Sequence, residues 1–349
     1  MYTITKYIVI AIFVSIPIIA AYTIYNYPYL LEAKSFFEEK PFTYYYEDDY
    51  RLVKKFKHFK LTHYSGYEDN VSLMQDTTTK KCPFFYSPDE PKNRKIIFAD
   101  NHILWENEEP LHTNLRNYVQ DFVPERTETI KRLDHWFEKN SAENISAVEF
   151  QKVLYYTLFG KTINTTEAEL VIEFRLINRK VALMPPFIRN LFMRNNLNRI
   201  QEIKLFFENK MINQGYEYPQ TMSEVFWFNA APLYKYYKRL ENILMKDRNI
   251  LTEVKNASKT NELIEEIFRL YPAVRVIPYE VNNELYAANI SLANTDSSVF
   301  KDPLEIDLNR KHYDHLTFAS PSKRGCVGRE FSTDFLAYLI DRKIDNIKI

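Results

Sequence analysis

Apolar side chains recur every three to four residues in six stretches of this chain. That spacing predicts helices over Thr127–Lys139, Ala147–Phe159, Glu167–Ala182, Leu197–Met211, Met222–Met245 and Asn261–Leu270, the last stopped by Pro272. Beyond Pro272 the helical period is lost, and Pro, Asn, Asp and Ser accumulate up to Gly325, which reads as short strands and irregular chain. A final helix is predicted from about Val327 to Ile340. Residues 26–110 mix aromatics with charge clusters, and strands are expected around Tyr50–Phe59 and Lys95–Ala99. No repeat, low-complexity tract or linker divides residues 30–349, which predicts one domain, mainly α with small β-sheets (α+β).

The remaining apolar run has no helical stripe. From Tyr7 to Tyr25 the chain carries no charge, and about 20 apolar residues suffice to cross a bilayer core as a helix. Tyr22, Tyr25, Tyr27 and Tyr29 sit where an interfacial aromatic belt belongs, and Pro28 ends the run. Residues 1–29 are therefore expected to be a transmembrane anchor and its flank; a cleaved signal peptide, cut near Ala20 and Ala21, is the rival reading.

Composition changes the picture in three ways. The net charge is +0, with 46 basic and 46 acidic residues, so nothing in the balance calls for nucleic acid. There are 5 glycines and no glycine-rich phosphate loop. Two cysteines, Cys82 and Cys326, are too few for a disulfide framework. Cys326 stands apart because of its surroundings. It lies at the start of the final helix, after a loop rich in Pro and Ser, beside Lys323, Arg324 and Arg329. A helix N-terminus and nearby cations favour a thiolate, the form that ligates metals, and Gly328 removes bulk behind the sulfur. A plain buried thiol on a capped helix is the alternative on this segment alone.

The segment Phe318–Arg329 resembles the haem-binding loop of the cytochrome P-450 superfamily. Arg324 and Gly328 stand two residues before and after Cys326 as in that loop; Phe318 fits with one extra residue, and Ser322 replaces a Gly. Glu266 and Arg269, before Leu270 and Pro272, resemble the family's E-x-x-R pair, and Val299–Arg310 resembles the segment whose terminal Arg, here Arg310, completes an ion triad. His112 and Arg116 resemble the Trp and Arg that meet a haem propionate, with His in place of Trp. The resemblance covers roughly residues 100–340. It implies a shortened P-450-like fold, with haem (heme) iron held by Cys326 and Arg324, Gly328, His112 and Arg116 lining the cofactor.

It further implies a monooxygenase-like oxidoreductase acting on an apolar, lipid-like or sterol-like substrate. An NADPH-dependent reductase would dock by Lys311, Lys323, Arg324 and Arg329. With the anchor, it implies an endoplasmic reticulum protein whose catalytic domain faces the cytosol. The stretch Val225–Pro232 departs from the family, because it lacks the acid–alcohol pair that relays protons to oxygen. Asn229 is its polar side chain and the expected distal-pocket residue; an Asn capping the break at Pro232 is the plain alternative. Some atypical branches of the family rearrange fatty-acid peroxides, which keeps a reductase-independent hydroperoxide isomerase or dehydratase open. A non-catalytic haem-binding relic is a further alternative. Where the family has a second propionate-binding Arg, Tyr279 stands, with Arg275 four residues before it.

Overall fold

A computed structural model describes residues 61–76, 80–81, 110–140, 145–182, 192–281, 284–310, 315–319, 322 and 325–347. The expected anchor, the strands around Tyr50–Phe59 and Lys95–Ala99, and Cys82, Lys311, Lys323 and Arg324 lie outside these residues. Among the described residues no helix is long and apolar enough to cross a membrane.

The described chain runs β1 (Leu61–Tyr64), α1 (Tyr67–Gln75), β2 (Lys80–Lys81), α2 (Leu111–Phe122), α3 (Arg126–Lys139), α4 (Ala147–Phe159), α5 (Thr165–Ala182), α6 (Arg194–Asn213), α7 (Pro219–Lys246), α8 (Arg248–Ala257), α9 (Thr260–Leu270), β3 (Val276–Val281), β4 (Glu284–Asn289), α10 (Ile290–Ala293), a 3-10 turn (Leu316–Phe318) and α11 (Arg329–Asp345). Six expected helices appear within a few residues of their expected ends. Helices α1, α2, α8 and the four-residue α10 fall outside those six, and the last helix begins at Arg329 rather than Val327. Helix α8 is only ten residues long, with Ile250, Leu251 and Val254 at helical spacing, and its start is made by Asp247, whose side chain accepts from the Asn249 and Ile250 amides.

Local chemistry explains the sharper boundaries. Ser146 caps α4 by accepting from the Glu149 amide, and Gly160 ends it at φ +64°, a left-handed turn that glycine adopts without Cβ strain. Asn164 and Glu167 exchange side-chain to backbone bonds of 2.8 and 2.9 Å, a reciprocal cap for α5. The 28 residues of α7 make a rod about 42 Å long, against which α4, α5, α6, α9 and α11 all pack. Phe150, Tyr155, Phe226, Tyr237 and Phe335 are all fully buried in this helical core. A smaller core, with Leu73, Ile277, Ala288 and Leu316, lies under a four-stranded sheet of order β1-β4-β3-β2. There β4 runs parallel to β1 and antiparallel to β3, pairing Leu61 with Leu285 and Tyr279 with Tyr286.

Candidate functional site

The expected ion triad is assembled at the end of α9. The Glu266 carboxylate accepts from Nε and Nη2 of Arg269, each at 2.8 Å, from Nε of Arg310 at 2.9 Å and from the Asp307 amide at 3.0 Å. Four donors occupy the four acceptor positions of one carboxylate. Arg269 is equally spent. Its Nη1 donates to the carbonyls of Asn294 and Pro303, and its Nη2 also donates to that of Glu305, so all five guanidinium protons are used. Both residues are fully buried. Arg310 adds a bond to the Lys301 carbonyl at 2.8 Å. Two buried charges repay their desolvation only when satisfied this completely. The result fastens irregular residues 294–310 to a helix.

Asn294 carries that order onward to the cysteine loop. Its amide nitrogen donates to the Arg269 carbonyl and to Thr317 Oγ1, and its oxygen accepts from the Leu316 amide at 2.7 Å. Thr317 in turn donates to the Phe268 carbonyl. The chain thus enters the loop already tied to α9. The loop closes on itself: the Cys326 amide donates to the Phe318 carbonyl at 2.8 Å, and the Gly325 amide to Ser322 at 2.9 Å. Gly325 relieves a close approach, since a Cβ there would lie 3.3 Å from the Ser322 carbonyl oxygen, tighter than ordinary contact.

Cys326 is exposed, and it stands two residues before Gly328, the N-cap of α11. Arg116, on α2, donates from Nη1 to the Gly325 carbonyl at 2.5 Å, so α2 is bolted beside the sulfur. His112 lies one turn earlier on α2 and is buried. A Cβ on Gly328 would stand 3.8 Å from both Asn229 Oδ1 and Cys326 Sγ, which places those atoms no more than 7.6 Å (twice 3.8 Å) apart. The structure therefore brings Cys326, Gly328, Asn229 and Arg116 to one place, with His112 on the same helix as Arg116. Arg324 lies outside the described residues.

Asn229 Nδ2 donates to the Val225 carbonyl at 2.6 Å. That is the carbonyl one turn back from Asn229 itself, not the one that Pro232 leaves without its helical donor, so this bond does not cap the break. The Oδ1 atom is left towards Gly328 and the sulfur. An exposed cysteine at a helix start and a residue without side chain behind it suit a thiolate that would hold haem iron. A guanidinium and an imidazole on the adjacent helix suit the anionic edge of the same group.

Three residues of the region were not foreseen in a structural role: Glu265, His315 and Asn294. Glu265 was hidden by its neighbour Glu266, and His315 and Asn294 have no partner nearby in sequence that would single them out. Arg329 differs from expectation as well. Its Nη2 is bound to Glu265 at 2.9 Å and it is only 30% exposed, so it adds little to a positive docking face.

No family model and no curated protein matches this sequence. Solved structures do match in shape. P450BioI in complex with an acyl carrier protein bearing hexadec-9Z-enoic acid is 15% identical, with 80% of this chain aligned to 83% of that one at a TM-score of 0.59. CalO2 is 14% identical, 84% against 86%, at 0.63. A Bacillus megaterium cytochrome P-450 in complex with testosterone is 12% identical, 82% against 84%, at 0.62. With the helical body, the four-stranded sheet and the Glu266–Arg269–Arg310 triad beneath the cysteine loop, this chain has the cytochrome P-450 fold.

Proposed function

We propose that this chain belongs to the cytochrome P-450 superfamily and is a haem-thiolate oxidoreductase, in which the Cys326 thiolate would hold the haem iron. The observation that carries the reading is the exposed Cys326, just before α11, in a loop fastened through Asn294 and Thr317 to a fully satisfied buried triad. Haem bound there would supply the redox chemistry. The chain's own residues supply position. The loop bonds hold the sulfur at one point, Gly328 leaves space behind it, and Arg116 with His112 and Arg324 would compensate the propionate charge. Asn229 would orient a ligand or water on the far face. Its carboxamide does not titrate near neutral pH, so it holds hydrogen bonds rather than delivering protons.

We assign an apolar, lipid-like or sterol-like small molecule as substrate, residues 1–29 as the anchor, residues 30–349 as the catalytic domain, and an NADPH-dependent reductase as electron donor. The endoplasmic reticulum, with the domain facing the cytosol, fits that arrangement. A second reading is favoured by the Asn229 site: a fatty-acid hydroperoxide already carries reduced oxygens, so its rearrangement needs neither a proton relay nor a reductase.

The test is the spectrum of the reduced protein under carbon monoxide. A thiolate-type carbonyl band is expected for the full chain and for residues 30–349, lost in Cys326→Ser and kept in Cys82→Ser; absence of bound haem overturns the assignment. Turnover of a fatty-acid hydroperoxide without reductase would select the second reading, and turnover only with NADPH and a reductase the first.

A further inference from the structure

Beside the triad lies a second ion cluster to which the reading above assigns nothing. Glu265 Oε2 is 2.9 Å from His315 Nε2 and 2.9 Å from Arg329 Nη2, and Thr333 Oγ1 approaches Oε1 at 3.5 Å. His315 opens the 3-10 turn that leads into the cysteine loop, and Arg329 is the first residue of α11, which leads out of it. We infer that Glu265 is the positioning residue of that loop: one carboxylate oxygen on α9 clasps its incoming and outgoing arms, so that Cys326 is held at the middle of a closed bracket.

The packing supports the same geometry. Phe318 stacks edge-on against Phe268 of α9 at 4.9 Å, and the Arg329 guanidinium lies 5.7 Å from the Phe318 ring. His315 is fully buried, so it cannot exchange the carboxylate for water, and its ring is 6.1 Å from that of Phe318. The triad on Glu266 orders residues 294–310, which precede the loop. The cluster on Glu265 differs in touching both of the loop's own ends. Two adjacent carboxylates on one helix thus divide the work, Glu266 fixing the support and Glu265 the bracket.

The inference rests on Cys326 being the iron ligand only for its consequence, not for its geometry, and the experiment separates the two. Full-length protein carrying Glu265→Ala, Glu265→Gln or Arg329→Gln is compared with wild type, with the exposed-pair variant Glu173→Gln as control. Amide hydrogen exchange over residues 315–330 is measured first, without haem. Glu265→Ala should speed exchange of the Gly325 and Cys326 amides about ten-fold or more, the factor that a lost charge-assisted hydrogen bond commands. Helix α4 should be unaffected. Glu265→Gln can place its one carbonyl oxygen where Oε2 stands and should restore most of the protection.

With haem, Glu265→Ala should move the carbonyl spectrum from the thiolate-type band to one lacking thiolate, while Glu173→Gln leaves it unmoved. Unchanged exchange in the loop overturns the inference whatever the spectrum does. If Glu265→Ala loosens the whole body, Arg329→Gln decides. It removes the outgoing arm together with the Arg329–Phe318 contact but leaves Glu265 and His315 in place, and faster exchange confined to the loop supports the bracket, whereas no change refutes it. A wild type with no thiolate-type band sinks the haem reading and leaves the exchange result standing.

Discussion

Glu266 is a carboxylate with four donors and no exposure, and such a group is unforgiving. Glu266→Gln keeps the size but leaves two buried guanidinium groups facing one carboxamide. An expected loss of about 3–5 kcal/mol, read from urea unfolding, follows from breaking a buried pair on one side only. Asn229 is the opposite case. Its described bond goes to a carbonyl that the α7 backbone already uses, so Asn229→Ala should lower stability by about 1 kcal/mol or less. From the proposed distal role, the thiolate-type band is expected to persist in Asn229→Ala while turnover falls. Stability and turnover measured on one preparation separate these effects.

At the scale of elements, the ends of α4 are set by two residues whose roles differ in kind. Ser146 supplies an oxygen to an amide that the helix cannot satisfy itself, and Ser146→Ala should cost about 1 kcal/mol. Gly160 supplies a conformation. A Cβ there would meet only the Arg132 guanidinium at an ordinary 3.7 Å, so Gly160→Ala is opposed by its φ of +64° rather than by crowding. About 1–2 kcal/mol is expected from the left-handed backbone alone. Both values are read from thermal or urea midpoints, and similar losses would be the sign that α4, central to the helical core, responds as one unit.

At the scale of the whole molecule, the clasp on Glu265 makes stability depend on pH. Burial holds the His315 imidazole below its ordinary 6.5, although Glu265 pulls the other way. The unfolded chain therefore takes up a proton near 6.5 where the folded chain resists it, so stability is complete above that pH and declines as pH falls. Burial also pushes Glu265 upward, but the bonds from His315 and Arg329 outweigh it and hold the carboxyl below its ordinary 4.5. Its contribution is present above 4.5 and is lost as pH falls further, so both groups act in one direction. Urea midpoints from about pH 8 to about pH 5 should decline, and His315→Gln should flatten the upper part of that decline. An identical slope in the variant would assign the decline to other groups.

Helices were legible in the sequence because amphipathic periodicity is a local property, and α4, α5, α6, α7 and α9 needed no more than the spacing of their apolar residues. The triad was legible by resemblance, on motifs that keep Glu266, Arg269 and Arg310 at recognisable positions. Helix α8 was missed because it is only ten residues long and follows α7 directly, so that the Asp247 cap alone separates its stripe, Ile250, Leu251 and Val254, from the helix before it. The Glu265–His315–Arg329 bracket could not be read at all. Its members are 50 and 64 residues apart, each is an ordinary polar residue in its own neighbourhood, and a charge shared across such distances exists only once α9 lies against the loop. The sequence by itself thus determined most of the helices and, by resemblance, the Glu266–Arg269–Arg310 triad. The tertiary structure decided which carboxylate holds which arm, because ion pairing depends on separation in space, and only packing sets that.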